Sequence, residues 1–365
     1  MNPFNPSFGN RPERFIGRDM IISEVLNALD NLNSPWRSTI VTGVRGSGKT
    51  ALLSDIQKRL EGRNVVVVSL TPNEDFLFEL LSQMYEQIPA RVKKKMPKIK
   101  SIDTKLGISF EFDEQEAPYF TNNFRYQLTI LLKELKKNNM KTLFMIDETQ
   151  KDEDGLRTFI STYQHLIREE YEVNLIMAGL PYVISSILKD KILTFLRRAK
   201  RVELQNVDLA LVRLSYDEVF RNMYTDSLID TATNITKGYP YLFQLLGYYL
   251  WESYEEGKNE ESILEATVIK SKVDLFENVH ELVFDELSQK DKEFLVRMNL
   301  TGEGTKTADM IERLEKDKGY VSLYRNRLIS HGFIKSLGHG VIGFVLPYTE
   351  EFLESKIEEL GVDMI

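Results

Sequence analysis

The sequence predicts an α/β fold: a parallel five-stranded sheet flanked by helices, then a helical segment, then a smaller unit of helices and a hairpin. Three observations carry that prediction. Five short apolar, mostly β-branched runs recur through the first two hundred residues, helix-spaced segments lie between them, and a glycine-rich loop follows the first run. Strands that alternate with helices need crossover connections, which make the sheet parallel and cover both its faces. At 365 residues the chain exceeds one ordinary domain and suggests two or three.

The elements follow in order. Residues 39–42 lead into the glycine-rich loop, and "ALLSDIQKRLEG" after it repeats apolar positions at helical spacing. The run "VVVVSL" at 65–70 has the length of a buried strand. Residues 91–118 break the alternation. Their first half is basic, with Arg91, Lys93, Lys94, Lys95, Lys98 and Lys100, and their second half alternates like a strand or hairpin, so they read as an insertion. "FRYQLTILLKELKKNN" is again helical, and the runs at 142–147, 174–179 and 201–204 supply the remaining strands. From 208 to about 272 the pattern is all helical, centred on "TKGYPYLFQLLGYYLWESYEEG". The last unit holds helices at about 288–299, 306–315 and 320–331, then the hairpin-like "FIKSLGHGVIGFVLP". Three helices before a two-stranded wing is the winged-helix order. The predicted division is an arm over 1–15, an α/β domain over 16–207 carrying the insertion 91–118, a helical segment over 208–273 and a winged helix over 274–365.

Hydrophobic residues make up 42% and charged residues 28%, enough for a sizeable core. The formal net charge of -8 gives no global basic field, so a nucleic acid must be met by a local patch. There is no cysteine, which excludes disulfides and thiolate zinc sites and fits a reducing compartment. The four histidines (His165, His280, His331 and His339) are scattered, which argues against a histidine-based metal site. The N-terminus "MNPFNPSFGNRPERF" lacks the apolar centre of a signal peptide, and the apolar runs are strand-sized. The expected location is the cytoplasm, with no membrane partner.

Residues 43–50, Gly43-Val44-Arg45-Gly46-Ser47-Gly48-Lys49-Thr50, fit G-x-x-x-x-G-K-[ST] at every position, between an apolar strand and a helix entered through Ala51. Glycines let the loop wrap so that backbone N–H groups point inward, and the helix N-terminus adds partial positive charge. Lys49 can then reach the β- and γ-phosphates, and the Thr50 hydroxyl can ligate magnesium. Magnesium needs a second anchor, and hydrolysis needs a group that aligns water. "KTLFMIDETQ" supplies both: Asp147 would hold the metal through its water shell and Glu148 would polarise the attacking water. Two carboxylates at the end of a buried strand are costly without an ion. No N-K-x-D or T-K-x-D follows, so the expected nucleotide is ATP, with Mg2+ as its ion.

With "FIGRDMIISEVLNAL" near the N-terminus, the loop and the Asp147-Glu148 pair resemble AAA+ ATPases. Within them the chain is similar to the clade of archaeal origin-recognition initiators, transposition and secretion helper ATPases, and STAND signalling ATPases. It also resembles a broad group of bacterial ATP-binding proteins. The resemblance implies that Phe15, Ile16, Gly17 and Arg18 lie over the adenine. It likewise implies that Gly238-Tyr239-Pro240 is the G-x-P of a helical lid, with Pro240 beside the nucleotide. Two departures stand out. Ala178-Gly179-Leu180 ends a strand where many relatives carry a polar sensor residue, and Tyr239-Pro240-Tyr241 has a tyrosine where initiators often place an arginine. Both imply slow turnover, or a switch rather than a motor. Arg197 or Arg198 is the candidate arginine for a neighbouring subunit's phosphate, and an exposed basic helix end accounts for the pair equally well.

From 318 to 349 there is no Asp or Glu, while Lys318, Arg325, Arg327 and Lys335 are basic. This span covers the expected third helix and wing. Ser322, Tyr324, Arg325, Asn326 and Arg327, with Lys335 and His339 at the wing, are the candidate contacts to double-stranded DNA. The leading expectation is an ATP-driven switch that assembles on DNA. The alternative is a STAND-like regulatory ATPase whose winged helix docks on protein, and self-association or a protein partner fits either.

Overall fold

A computed structural model describes residues 1–7, 12–94, 99–103, 107–110, 123–149, 154–190, 193–255, 257–298 and 304–360. The α/β domain opens with α1 (Asp19–Ala28), β1 (Ser38–Thr42), α2 (Lys49–Leu60), β2 (Val65–Leu70), α3 (Phe76–Gln87) and a short α4 (Ala90–Lys93). After it come β3 (Ile99–Asp103) and β4 (Gly107–Phe110), then α5 (Phe124–Lys137), β5 (Lys141–Ile146), α6 (Asp154–Arg168), β6 (Val173–Gly179), α7 (Pro181–Lys189) and β7 (Lys200–Glu203). The central sheet has the order β2-β5-β6-β1-β7 and every pair in it is parallel. All seven residues of β6 are buried, as a strand covered on both faces requires.

Helices on one face bury Phe76, Leu80, Leu128, Leu132, Phe159 and Ile184 against the sheet, and α1 with α2 bury Ile22, Val25, Leu52 and Ile56 on the other. The sheet order decides where chemistry can sit. β1 and β5 flank β6, so the loops leaving their C-terminal ends converge above it. In the insertion, β3 and β4 pair as an antiparallel hairpin. Of its basic run, Lys93 lies over the Tyr85 ring, 4.6 Å from the centroid. Lys95, Lys98 and residues 111–118 lie outside the described residues.

The helical segment consists of α8 (Leu209–Phe220), α9 (Asp226–Ile235), α10 (Pro240–Ser253) and α11 (Glu260–Leu275). Asp208, Thr225 and Asn259 cap three of these helices through their side chains, and Pro240 opens α10 where no N–H partner is needed. Their core, with Val212, Tyr216, Phe220, Phe243 and Leu246, also takes in Phe4 from the N-terminal arm. The division expected between 273 and 274 falls inside one helical run. α11 passes through a π-helical turn, Phe276–Glu281, into α12 (Leu282–Asp285), and the junction residues keep right-handed angles. The two units share this helix because its residues Leu275 and Val279 pack with Tyr239, Leu242 and Leu245 of the helical segment and Leu346 of the C-terminal one.

The C-terminal unit holds α13 (Gln289–Val296), β8 (Thr305–Lys306), α14 (Thr307–Leu314), α15 (Lys318–His331), β9 (Ile334–Gly338), β10 (Val341–Phe344) and α16 (Thr349–Leu360). β8 adds a third strand to the expected hairpin, in the order β8-β10-β9. At two residues it is too short to carry a periodic signal. α15 begins at Lys318, ahead of the expected start, because Asp317 caps it by accepting the Tyr320 N–H. α16, which the pattern reading did not single out, buries Phe352 and Leu353 in this unit's core.

Candidate nucleotide-binding site

The loop between β1 and α2 turns through Gly46 and Gly48, with φ of +73° and +89°, conformations that exclude most side chains. α2 starts at Lys49 with no side-chain cap, so its first backbone N–H groups are left for a ligand. The Lys49 ammonium donates to the carbonyls of Gly43 (2.8 Å) and Val44 (3.0 Å). Burial pushes its pKa down to about 8, against the pull of Asp147. Beside it the Ser47 hydroxyl is buried with no hydrogen-bond partner among the described residues. A desolvated cation and an orphaned hydroxyl over a helix N-terminus fit a polyphosphate.

The carboxylate side is set by three consecutive residues. Asp147 N–H donates to Leu70 O of β2 (2.9 Å), and Thr149 donates to Ala178 O of β6 through both its N–H (3.1 Å) and its hydroxyl (3.2 Å). Between these tethers Glu148 takes φ +47°, a left-handed conformation uncommon for a side-chain-bearing residue. The kink leaves Glu148 exposed to the cavity, and its N–H donates to Asp147 Oδ1 (2.9 Å). Asp147 Oδ2 accepts from the Thr50 hydroxyl at 2.7 Å. Thr50 and Asp147 therefore meet as the expected magnesium anchors would, and their oxygen donors suit a hard divalent cation. At the β6 end, a Cβ on Gly179 would lie 2.3 Å from Thr149 Oγ1. The missing polar residue on β6 thus leaves room for a polar residue that arrives from β5.

These groups open into a cavity of about 870 Å³. Arg45, Gly46, Ser47, Gly48, Lys49, Thr50 and Ala51 line it, together with Glu148, Phe15, Ile16, Arg18 and Pro240. Gly43, Val44, Gly17 and Asp147 stand behind that lining. Gly17 turns the chain at φ +73° against Val207, and the Arg18 guanidinium donates to Gln205 O (2.6 Å). Tyr239 is not a free sensor: it is buried, and its hydroxyl donates to Arg45 O.

Sequence reading missed the remaining walls. One is the arm, through Asn5, Pro6 and Ser7. Others are Tyr182 of α7, Gln244 of α10, and Asp274, Asn278 and Glu286 along the shared helix and its end. None belongs to a motif, and only the packing brings them to the loop. The C-terminal unit also touches the loop directly. Arg45 faces Glu286 at 3.8 Å, the His331 ring stands edge-on to Tyr182 at 4.8 Å, and the Gly332 turn abuts Val44 and Pro181.

Arg197 and Arg198 are exposed before the edge strand β7 and do not line the cavity; Arg197 Nε donates to Leu188 O (2.9 Å). The seven candidate DNA residues do not form one free basic face. Arg327 pairs with Asp291 at 2.9 Å, a fully buried carboxylate of α13. Arg325 is half-buried and donates to Asn326 Oδ1 (3.1 Å), and the Tyr324 ring packs on Tyr320. Ser322 is half-buried, while Lys335 and His339 are exposed on the hairpin. The acid-free span in the sequence is therefore not acid-free in space, because α13 brings Asp291 to it.

Comparison with known proteins matches residues 14–177 to the family described as AAA ATPase domain. Over these residues the chain is similar to AAA ATPase domains. Residues 277–353 match a family described as a domain of unknown function, DUF8462. No match was found among curated proteins. Two solved structures share the fold over nearly their whole length. The ORC2 protein of Aeropyrum pernix, in ADPNP–ADP complexes, is 14% identical, with a TM-score of 0.63 and 98% of each chain covered. A Walker-type ATPase of Pyrococcus abyssi is 14% identical, with a TM-score of 0.62, covering 94% of this chain and 97% of that one. The α/β domain is thus built into a larger arrangement of the same order as in these two archaeal proteins. Among the described residues no helix is long and apolar enough to cross a membrane.

Proposed function

We propose that this chain is a magnesium-dependent ATP switch in which nucleotide state sets how firmly the C-terminal unit is held against the loop. The observation that carries the switch is the seat of that unit on the loop itself, where Gly332 meets Val44 and Glu286 faces Arg45. In this reading the backbone of 46–51 and Lys49 hold the β- and γ-phosphates. Thr50 and Asp147 hold Mg2+, which supplies charge neutralisation at the phosphates when bound. Glu148, held out by its left-handed backbone, orients water and takes its proton. Phe15, Ile16, Arg18 and Pro240 face the nucleoside. Either Arg197 or Arg198, exposed at the edge of the sheet, serves a neighbouring copy. The working units are the arm, the nucleotide-binding domain, a helical lid and a winged helix joined to the lid through a shared helix.

An anion entering beside Lys49 draws Arg45 and repels Glu286, so ATP should loosen the C-terminal seat. Hydrogen exchange at the C-terminal end of α15, with and without Mg-ATP, tests this. Faster exchange with ATP is expected, and identical exchange at saturating ATP would remove the switch while leaving ATP binding intact. A second reading keeps double-stranded DNA as partner, favoured by the exposed Lys335 and His339 on the hairpin. Under it, Lys335→Ala weakens all duplexes alike and lowers the salt slope by about one unit.

A further inference from the structure

Gln244 is buried at 7% exposure in α10 and lines the nucleotide cavity. Its amide makes two long-range hydrogen bonds. Oε1 accepts from the Asn5 N–H (2.9 Å), and Nε2 donates to the Arg14 carbonyl (2.8 Å). One side chain therefore ties both Asn5 and Arg14 to the helical segment. The rest of the arm is anchored around it. The Phe4 ring stacks among Tyr216, Phe220 and Phe243 with centroids 5.5–5.6 Å away. Gly247 is the device that admits it, since a Cβ there would lie 2.5 Å from Phe4 Cδ1. A mid-helix glycine weakens a helix relative to alanine, so this position gives up helix stability to seat the arm. Asn2 donates to Tyr248 O (3.2 Å) and Glu252 (2.9 Å).

The arm is thus tied down beside a cavity. Asn5, Pro6, Ser7, Pro12 and Arg14 all line it, next to Phe15, whose ring reaches within 3.9 Å of a Cβ built on Gly48. Phosphates belong at Lys49 and Thr50, so the arm residues, with the Pro6 and Pro12 rings beside Phe15, are left for the base and sugar. We propose that Gln244 is a positioning residue for nucleotide recognition: it fixes residues 5–7 and 12–14 as the wall against which the nucleoside is bound. This rests on the reading of the cavity as the ATP site. A wall held in place before binding spares the ligand the cost of ordering it, which raises affinity for the nucleoside and leaves the phosphate contacts alone.

The full chain carrying Gln244→Leu, which keeps the volume and loses both hydrogen bonds, is titrated calorimetrically with ATP, GTP and inorganic tripolyphosphate. Losing both bonds should weaken ATP binding about tenfold. The preference for ATP over GTP should narrow, and tripolyphosphate affinity should be unchanged. Asn5→Pro, outside every helix and strand, removes the N–H that Gln244 receives and also the Oδ1 that accepts from the Ser7 N–H (2.9 Å), while Asn5→Ala removes only the second. The first should give the same split and the second should not, and the pair decides the question if Gln244→Leu folds poorly. Unchanged ATP affinity in the folded variant, or equal losses for ATP and tripolyphosphate, overturns the proposal. The parent chain is measured first. If it binds no ATP, the nucleotide reading of the cavity has failed and this inference falls with it, a result distinct from a parent that binds and a variant that binds alike.

Discussion

Lys49 shows how much a single burial decides. Its ammonium sits against two carbonyls, and desolvation lowers its pKa from the usual lysine value to about 8. A polyphosphate favours the charged form, so its pKa rises on binding. Below about 8 the free site is already charged and ATP affinity is at its maximum. As pH rises through that value, binding must take up a proton, and affinity falls by up to about tenfold per unit. Calorimetry on either side of that pH, in buffers of different ionisation heat, measures both the loss and the proton. Lys49→Ala should bind no ATP at any pH. Glu148 makes the complementary prediction. Glu148→Gln keeps shape and leaves Asp147 and Thr50 in place, so ATP should bind as in the parent while turnover drops by about 10²–10⁴. Parent-like turnover in single-cycle assays would assign the water-orienting role elsewhere.

At the scale of elements, α15 is held by its neighbours more than a recognition helix needs to be. Arg327 reaches Asp291, a carboxylate with no exposure that also accepts from Ser288 (2.5 Å). Removing the guanidinium leaves a buried charge with one partner fewer. Arg327 is itself partly exposed and Ser288 remains, so Arg327→Ala should destabilise by about 1–3 kcal/mol, less than a fully buried pair. Urea unfolding followed by circular dichroism checks it. A neutral result would mean that water replaces the guanidinium at Asp291. Loss of duplex binding in that variant would therefore say little about DNA contact, and Lys335 on the hairpin is the cleaner probe. The shared helix works in the same manner. Its π turn carries Phe276 and His280 against Phe352, while Val279 faces the cluster with Tyr239 and Leu346.

For the whole molecule, the cavity is a junction of four parts: arm, α/β domain, helical segment and C-terminal unit. Opening any one joint should be felt at the nucleotide. His331→Ala removes the ring that stands on Tyr182 and touches no catalytic candidate. The seat should loosen, raising basal turnover several-fold and the radius of gyration in solution scattering. Unchanged turnover with an expanded particle would separate docking from catalysis. These outcomes would distinguish a clamp from a passive neighbour, because a passive neighbour changes shape without changing rate.

The sequence by itself determined the parts whose information is local. The strand runs, G-x-x-x-x-G-K-T and the Asp147-Glu148 pair are legible because backbone period, glycine conformations and adjacent charges are fixed within a few residues. The α/β fold, its five parallel strands and the glycine-rich loop between β1 and α2 were therefore readable in advance. Tertiary structure alone decided the rest. That Thr149 fills the space left by Gly179, that Arg327 belongs to Asp291, and that Tyr239 bonds to the loop are all contacts between segments far apart in the chain. The same holds for Phe4 and Gln244, which join the first residues to α10. The boundary expected at 273/274 lies in a helical run that offers a packing face to two units. A hydrogen bond or a packed ring leaves no period in the sequence; its partner is chosen by which surfaces the fold brings within a few ångströms.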